Sequence, residues 1–370
     1  MTSSRRVGFL MSQNLGHIVH FERLRRELGN HPDIIPEWML IPPYANDVWQ
    51  RLPLIRKNLT LLSGLRARSQ LAEKHWRFDA LYCHTQEAAI LIGRYMRRTP
   101  TILSLDGTPI NMDSIGRAYQ HSVKPAAIER AKHWLTKRSF HRAAHFVAFS
   151  RWVKDSLVDD YGISGAKVTV NSPGVDLNLW KVGTTDQTSS RAARSPHVLF
   201  VGNDLERKGG NLLINCAISQ GHDWLVDVVT SKPVLGAEGR SNIRVHLGLR
   251  ADSPALISVY RNANIFALPT SGDALALVIL EAMAMQLPVI ATAVGGISEL
   301  VVHGETGLLI PPNSPAALTE AIRELGSDPQ RRLQMGNAAR RRAESYFDGA
   351  RTYRELVSVI REVADIGFRS

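Results

Sequence analysis

Short apolar runs alternate with stretches of helical periodicity along nearly the whole chain. This alternation limits the available folds more than any other feature. "RVGFLMS" leads into "HIVHFERLRREL", and "FDALYCH" leads into "EAAILIGRYMRR". "TILSL" and "HFVAFS" follow, the second running into "RWVKDSLVDDYG" and then "KVTVNSPGVD". After a polar stretch the rhythm restarts with "HVLFVG", "LLINCAI", "WLVDVVTS", "IRVHLG", "ALISVYRNA" and "IFALPT". Strands separated by helices in this way pair parallel, with the helices covering the sheet, so the expected class is α/β. The polar interruption, "GTTDQTSSRAARSP" at 183–196, reads as a linker. A chain of 370 residues suits two such domains of similar size, joined near residue 180.

Several classes are excluded early. Apolar content of 44% with 21% charged residues describes a globular chain rather than a disordered one. No apolar run approaches the length of a membrane span. The start, "MTSSRRVGFLMSQNLGH", has the basic-then-apolar order of a signal peptide. Gln13, Asn14 and His17 interrupt it, and no small-residue cleavage site follows, so it reads as the first strand. Cys83 and Cys216 lie far apart and suggest no disulfide framework, which points to a reducing cytoplasm.

Local signals place several elements. In "NSPAALTEAIREL", Ser314 is the expected N-cap and Pro315 the first helical residue. "VVHGETGLLIPP" reads as two short strands around a glycine-containing turn. The stretch "SGDALALVILEAMAMQLPVIATAVGGISELV" (271–301) poses a sharper question, because Asp273, Glu281 and Glu299 sit among residues built for burial. It divides into a loop after the strand "NIFALPT", a helix ending before Pro288, the strand "PVIATAV" and a second helix. Ligands of open α/β sheets bind outside the carboxyl ends of the strands, where Asp273 and the 295–299 loop are expected. The amides of 274–277 open a helix and suit a phosphate. Glu281 has no polar face to share, so it needs either a structural partner or ligand hydroxyls.

These residues resemble a known family. "D-x7-E" followed by "AMAMQLPVIATAVGGISELVVHGETGLLIPP" closely resembles the C-terminal signature of the family 4 glycosyltransferases. "VNSPGVD" is similar to that family's interdomain segment, and "LFVGNDLERKGGNLLINCAI" to its donor-phosphate strand, loop and helix. "FSRWVKDSLVDDYGI" resembles its last N-domain helix, and "NAARRRAESYFD" its closing helix that crosses back. The match is close over roughly 145–350 and loose over the first 140 residues. The resemblance implies the GT-B fold: two Rossmann-like parallel-sheet domains facing across a cleft. The expected division is 1–180 for the acceptor, 181–345 for the donor, and a helix at 346–370 packing back on the first domain. It also implies retaining transfer of a hexose from a nucleoside-diphosphate sugar, UDP or GDP, with the leaving diphosphate as base.

The implied roles fall on individual positions. Glu281 would hold the ribose, and Asp273 the donor-sugar hydroxyls. Arg207 and Lys208 would neutralise the diphosphate, a task that requires cations placed in advance. Gly202, Asn203 and the 274–277 segment (Ala274, Leu275, Ala276, Leu277) would line the donor site. No Asp-x-Asp occurs, so no metal and no other cofactor is expected. Gly16 is either the glycine whose backbone approaches the phosphate or an ordinary turn. Asp106, in "LSLDGTP", stands where many relatives carry histidine; it orients a substrate hydroxyl or caps a turn. His84, ending "LYCH", is the rival candidate or a plain strand-end residue. Asp273 replaces the commoner glutamate, Asn203 the commoner arginine, and Ala274 and Ala276 the commoner glycines. Positive φ would disfavour the two alanines. These departures leave a non-catalytic binding module as the alternative.

Charge bears on the acceptor. The net charge is +11, and residues 1–180 hold 25 Lys+Arg against 15 Asp+Glu, while 181–370 hold 20 against 19. The surplus concentrates in 51–77 (Arg51, Arg56, Lys57, Arg66, Arg68, Lys74, Arg77) and 117–142 (Arg130, Lys132, Lys137, Arg138, with Trp134 and Phe140). Basic residues interleaved with leucine and aromatics suit an anionic membrane face, and hence a lipid-linked acceptor. The other reading is a pair of solvated helices whose leucines face the core. Nucleic-acid binding is not expected, since no recognition motif accompanies the charge.

Overall fold

The fold is seen in a computed structural model, which describes residues 4–52, 55–56, 58–74, 77–116, 126–182, 195–221 and 223–368. The chain divides into two compact units: Met1–Met112 with Ser122–Pro173 and Ala350–Ser370, and Asp113–His121 with Gly174–Gly349. No helix among the described residues is long and apolar enough to cross a membrane.

The first unit is built on β1 (Arg5–Ser12), β2 (Ile34–Ile41), β3 (Ala80–His84), β4 (Thr101–Leu105), β5 (His145–Ala148) and β6 (Val168–Val170). They form one parallel sheet in the order β2-β1-β3-β4-β5-β6. β3 and β4 are buried at every residue, as expected of strands covered on both faces. β2 contains Pro36, which cannot donate to a ladder and is tolerated because β2 lies at the sheet edge. The helix Gly349–Phe368 belongs to this unit. Its Tyr353, Leu356, Val357, Ile360, Val363 and Ala364 pack with Val7, Phe9, Ala80, Tyr82 and Ile102. Arg361 holds Asp33 at 2.7 Å and Arg5 holds Asp365 at 2.5 Å, pinning the helix to the strand ends.

The second unit repeats the plan with β7 (His197–Val201), β8 (Leu225–Thr230), β9 (Ile243–Leu247), β10 (Ile265–Leu268), β11 (Val289–Thr292) and β12 (Gly307–Ile310). The parallel order is β12-β11-β10-β7-β8-β9. The chain reverses direction across the sheet between β7 and β10, a switch point where such sheets place ligands.

Three expectations are corrected. The division between units falls at Pro173 rather than near 180, because Trp180 is fully buried in the second unit. Its ring meets Tyr260 edge-on at 5.0 Å and its indole N–H donates to Asp252 at 3.0 Å. Residues 183–194 of the expected linker lie outside the described residues. The segment "NAARRRAESYFD" does not cross back: most of it lies in the helix Pro329–Tyr346, within the second unit. There Arg340 donates to the carbonyls of Trp180 and Ala284. Finally, "VVHGETGLLIPP" is not a hairpin. Only Gly307–Ile310 is a strand, paired parallel to β11, because the sheet offers β12 a better partner than its own turn. The Ser314 cap is present, its side chain accepting from the Ala317 amide at 3.2 Å.

Candidate active site

Three loops meet at the carboxyl ends of β7, β10 and β11. The loop after β7 holds Gly202 to Gly209. Asp204 folds it, accepting from the Arg207 amide at 3.2 Å and the Arg207 Nε at 3.1 Å. The Arg207 carbonyl then accepts from the Ser271 amide at 2.8 Å and from the Thr270 hydroxyl at 3.0 Å, joining it to the loop after β10. Thr292 Oγ1, at the end of β11, donates to the Thr270 carbonyl at 2.6 Å. The Gly296 amide donates to Ala274 at 2.8 Å. Gly295 has φ of +54° and packs where a Cβ would strike the Asp273 carbonyl, so glycine is required twice over.

This stitching brings Asp273, Arg207 and Lys208 together. Lys208 Nζ lies 3.3 Å and Arg207 Nη1 3.6 Å from Asp273 Oδ2. Arg207 Nη1 also donates to the Gly272 carbonyl at 2.8 Å, which fixes the guanidinium. All three side chains are largely buried. Gly202 makes room for the lysine: a Cβ there would sit 2.8 Å from Lys208 Cδ. Arg207 and Lys208 share Asp273, and Arg207 also pairs with the half-exposed Asp204, so two cations are gathered at the switch point with a carboxylate on either side. The helix Leu277–Ala284 starts beside it with Ala276 as N-cap and no side chain capping its amides. Ala274 and Ala276 are buried, and neither has positive φ. The alanines in place of glycine therefore strain nothing.

Two expected donor residues have structural partners. Glu281 is buried and accepts from the Tyr260 hydroxyl at 3.0 Å, which solves the burial cost that made it conspicuous. Asn203 accepts from the Ser231 amide at 2.8 Å and so tethers the loop after β8. Leu275 and Leu277 pack against the core of this unit.

The first unit has its own polar cluster at the carboxyl ends of its strands. Gly16 lies in the first turn of the helix Leu15–Leu28, and a Cβ there would meet nothing within 4 Å. Nothing within the unit demands glycine at this position. Asp106 follows β4 and is partly exposed, with its Oδ2 3.2 Å from His17 Nε2. Burial raises the Asp106 pKa, but the hydrogen bond and charge of His17 outweigh it and hold the carboxyl below its usual value. His84, which the sequence leaves as a cleft-facing candidate or a plain strand-end residue, does end β3. It is fully buried, its Nδ1 3.2 Å from the Ser104 carbonyl. Burial first, then the neighbouring His17 and His20, push its pKa well down. His17 escaped the sequence reading. Its one signal was its place beside Gly16, in a first helical turn at a strand end.

The basic segments also separate. Arg66 is buried, bound to Asp47 at 2.6 Å and to the Pro42 carbonyl at 2.6 Å, and Lys74 pairs with Glu37 at 3.3 Å. About half of the 51–77 segment is the helix Leu59–Ala72, which buries Leu62, Ala67 and Leu71, while Arg51, Arg56, Arg68 and Arg77 are exposed. Lys57 lies outside the described residues. On the helix Ala126–Phe140 charge also faces outward, beside an aromatic: Arg130, Trp134, Lys137 and Arg138 are exposed, and the Arg138 guanidinium lies 5.3 Å from the Trp134 ring centre. Residues 117–125 of that segment are outside the described residues.

Comparison with known proteins is consistent across both units. The family described as Glycosyltransferase Family 4 matches residues 37–179, and the one described as Glycosyl transferases group 1 matches 184–342. A D-inositol 3-phosphate glycosyltransferase of Paenarthrobacter aurescens is 27% identical over 339 residues, covering 79% of this chain and 76% of its own. A sucrose-phosphate synthase structure from Thermosynechococcus elongatus superposes with a TM-score of 0.77 at 17% identity, covering 97% of this chain and 99% of its own. The Anabaena protein Alr3699/HepE, solved in complex with UDP-glucose, superposes with a TM-score of 0.67 at 18% identity, covering 97% and 100%.

Proposed function

The chain belongs to the family 4 glycosyltransferases of GT-B fold, and from that premise we propose that it moves a hexose from a nucleoside-diphosphate sugar to an acceptor hydroxyl with retention. The observation that most supports this is the Arg207–Asp273–Lys208 cluster at the β7/β10 switch point. A departing diphosphate gains negative charge as its bond to the sugar breaks, and fixed cations stabilise that charge without reorganising. Arg207 and Lys208 serve in this role, with the uncapped amides at 274–277 receiving a phosphate. Binding draws the cations from Asp273, which frees that carboxylate for sugar hydroxyls. Glu281 accepts from the ribose while keeping Tyr260 on its other side, and Gly202 and Asn203 shape the loop beside it. No metal takes part, since the two cations already oppose the diphosphate.

The first unit holds the acceptor. Gly16 leaves open space for a phosphate to approach, and Asp106 orients a hydroxyl. The acceptor hydroxyl forms the new bond to the sugar's C1, the C1–phosphate bond breaks, and the hydroxyl proton passes to the leaving diphosphate. The donor is a UDP- or GDP-hexose; the Anabaena neighbour, with UDP-glucose bound, favours UDP. The exposed basic face around Trp134 suits anionic headgroups, so the acceptor is a lipid-linked or envelope glycan reached at the cytoplasmic face of a membrane. The test is calorimetric binding of UDP-, GDP-, ADP- and TDP-sugars, with nucleotide release followed alongside. One clear binder that is turned over supports the reading. A folded protein that binds none of them refutes it.

A further inference from the structure

We infer that His17 is a positioning residue for this reaction: paired with Asp106 at the carboxyl ends of β1 and β4, it fixes the carboxylate that accepts a hydrogen bond from a substrate hydroxyl. The inference rests on the glycosyl-transfer reading above.

The placement comes from topology. In the order β2-β1-β3-β4-β5-β6 the chain reverses between β1 and β3, so the ligand crevice of this sheet lies there. His17 stands in the first turn after β1, His84 ends β3, and Asp106 follows β4. His17 Nε2 lies 3.2 Å from Asp106 Oδ2, and both side chains keep some exposure, 18% and 23%. Both groups are thus open enough to meet a substrate hydroxyl.

The surroundings decide where the proton resides. Three imidazoles are in contact: His17 meets His84 edge-on with ring centres 4.6 Å apart, and His84 meets His20 at 4.8 Å. So close together, they cannot all be charged. His20 is clamped between the hydroxyls of Tyr82 and Tyr353, each at 3.1 Å, and burial, then His17 and Arg23, push its pKa down to about 3. His84 is likewise held neutral by burial. Glu87, the other carboxyl near the cluster, has its pKa pushed up by burial, and its charge when ionised also favours the proton on His17. At His17 burial also opposes charge, but the hydrogen bond and charge of Asp106 outweigh it and raise its pKa. One proton therefore settles on His17, against Asp106. Among the described residues, the buried Nδ1 of His17 and Nε2 of His84 find no hydrogen-bond partner. Orphaned polar atoms beside a partly exposed carboxylate are a mark of a working site more than of a packed interior.

Asp106 abstracts no proton in this scheme; it accepts a hydrogen bond and sets the angle of the hydroxyl. The pair is intact between the lowered pKa of Asp106 and the raised pKa of His17, and is lost as pH rises through the folded-state pKa of His17.

Two measurements on the full chain test this. In histidine-labelled protein followed by NMR, His17 should titrate above free imidazole, and Asp106→Asn should bring it below, since burial, the largest influence, is then opposed by the weaker pull of Glu87. A His17 that titrates like free imidazole, or ignores Asp106→Asn, overturns the pair whatever the activity. With the donor found by the binding panel, nucleotide release should decline as pH rises through the His17 titration. His17→Gln keeps a nitrogen donor near the Nε2 position but cannot titrate, so it should retain at least a third of the rate and lose that decline. His17→Ala should lose tenfold or more in kcat with the donor KM within twofold. A His17→Gln profile that superposes on the wild type overturns the role. If no donor is turned over, the transfer reading fails and the role with it, while the NMR titration still decides whether the pair exists.

Discussion

Lys208 offers the sharpest test of the second unit. Its Nζ lies 3.3 Å from the Asp273 carboxylate, and its side chain is 20% exposed. At an effective dielectric near 20, two unit charges at that separation interact by about 5 kcal/mol, which is a ceiling before hydration is counted. Hydrogen bonds to charged groups retain about 1.5–3 kcal/mol after hydration, and that range should apply to the lysine facing a departing diphosphate. Lys208→Ala should therefore slow turnover by about 10- to 150-fold, since each 1.36 kcal/mol on the barrier is about tenfold in rate. The fold should survive, because Asp273 keeps Arg207 at 3.6 Å and the loop is held by backbone bonds through Thr270 and Ser271. The assay is nucleotide release under saturating donor, with thermal melting as the control. A Lys208→Ala enzyme within threefold of the wild-type rate, melting at the wild-type temperature, would refute the assignment of the diphosphate to this cluster.

Three further outcomes are expected. Glu281→Ala should reduce turnover at least tenfold, a loss of about 1.4 kcal/mol or more, with weaker donor binding by calorimetry; unchanged donor affinity would return Glu281 to a purely structural role beside Tyr260. Asp227 sits between His197 at 2.6 Å and His246 at 3.0 Å; burial raises its pKa, but the two histidines outweigh that and lower it. A depressed folded-state pKa gives stability that is present above the unfolded value and lost as pH falls through the folded one, so melting temperature should drop in acid, and Asp227→Asn should flatten that drop at a cost of about 1–3 kcal/mol near neutrality. Replacing Arg130, Lys137 and Arg138 together by serine should weaken binding to phosphatidylglycerol-containing vesicles by about 100-fold, at about 1 kcal/mol for each cation, with the wild type itself released by salt; equal sedimentation of both proteins would remove the helix Ala126–Phe140 from any membrane contact.

Much of this molecule was legible in the chain because the governing forces are local in sequence. Alternating apolar runs and helical stretches named most of the strands, and Ser314 with Pro315 located a helix start. Asp273, Arg207 and Lys208 were assigned to one site by the family resemblance alone, and the structure brings their side chains together. β2 was missed because Pro36 reads as a strand breaker until its edge position is known. The false hairpin at Val301–Ile310 failed for the opposite reason: the turn signal was local, but the competing partner, β11, was not.

What the sequence by itself determined was the class of fold, the parallel sheets and the sign of the charge. What only the tertiary structure decided was the partner of each buried polar group. It turned Arg66 inward to Asp47, seated Glu281 against Tyr260, closed His84 away from solvent, and set His17 beside an aspartate 89 positions along the chain. The physical reason is range. Hydrophobic periodicity is written within one element, whereas the cost of burying a polar atom is settled by whichever neighbour the sheet order brings to it.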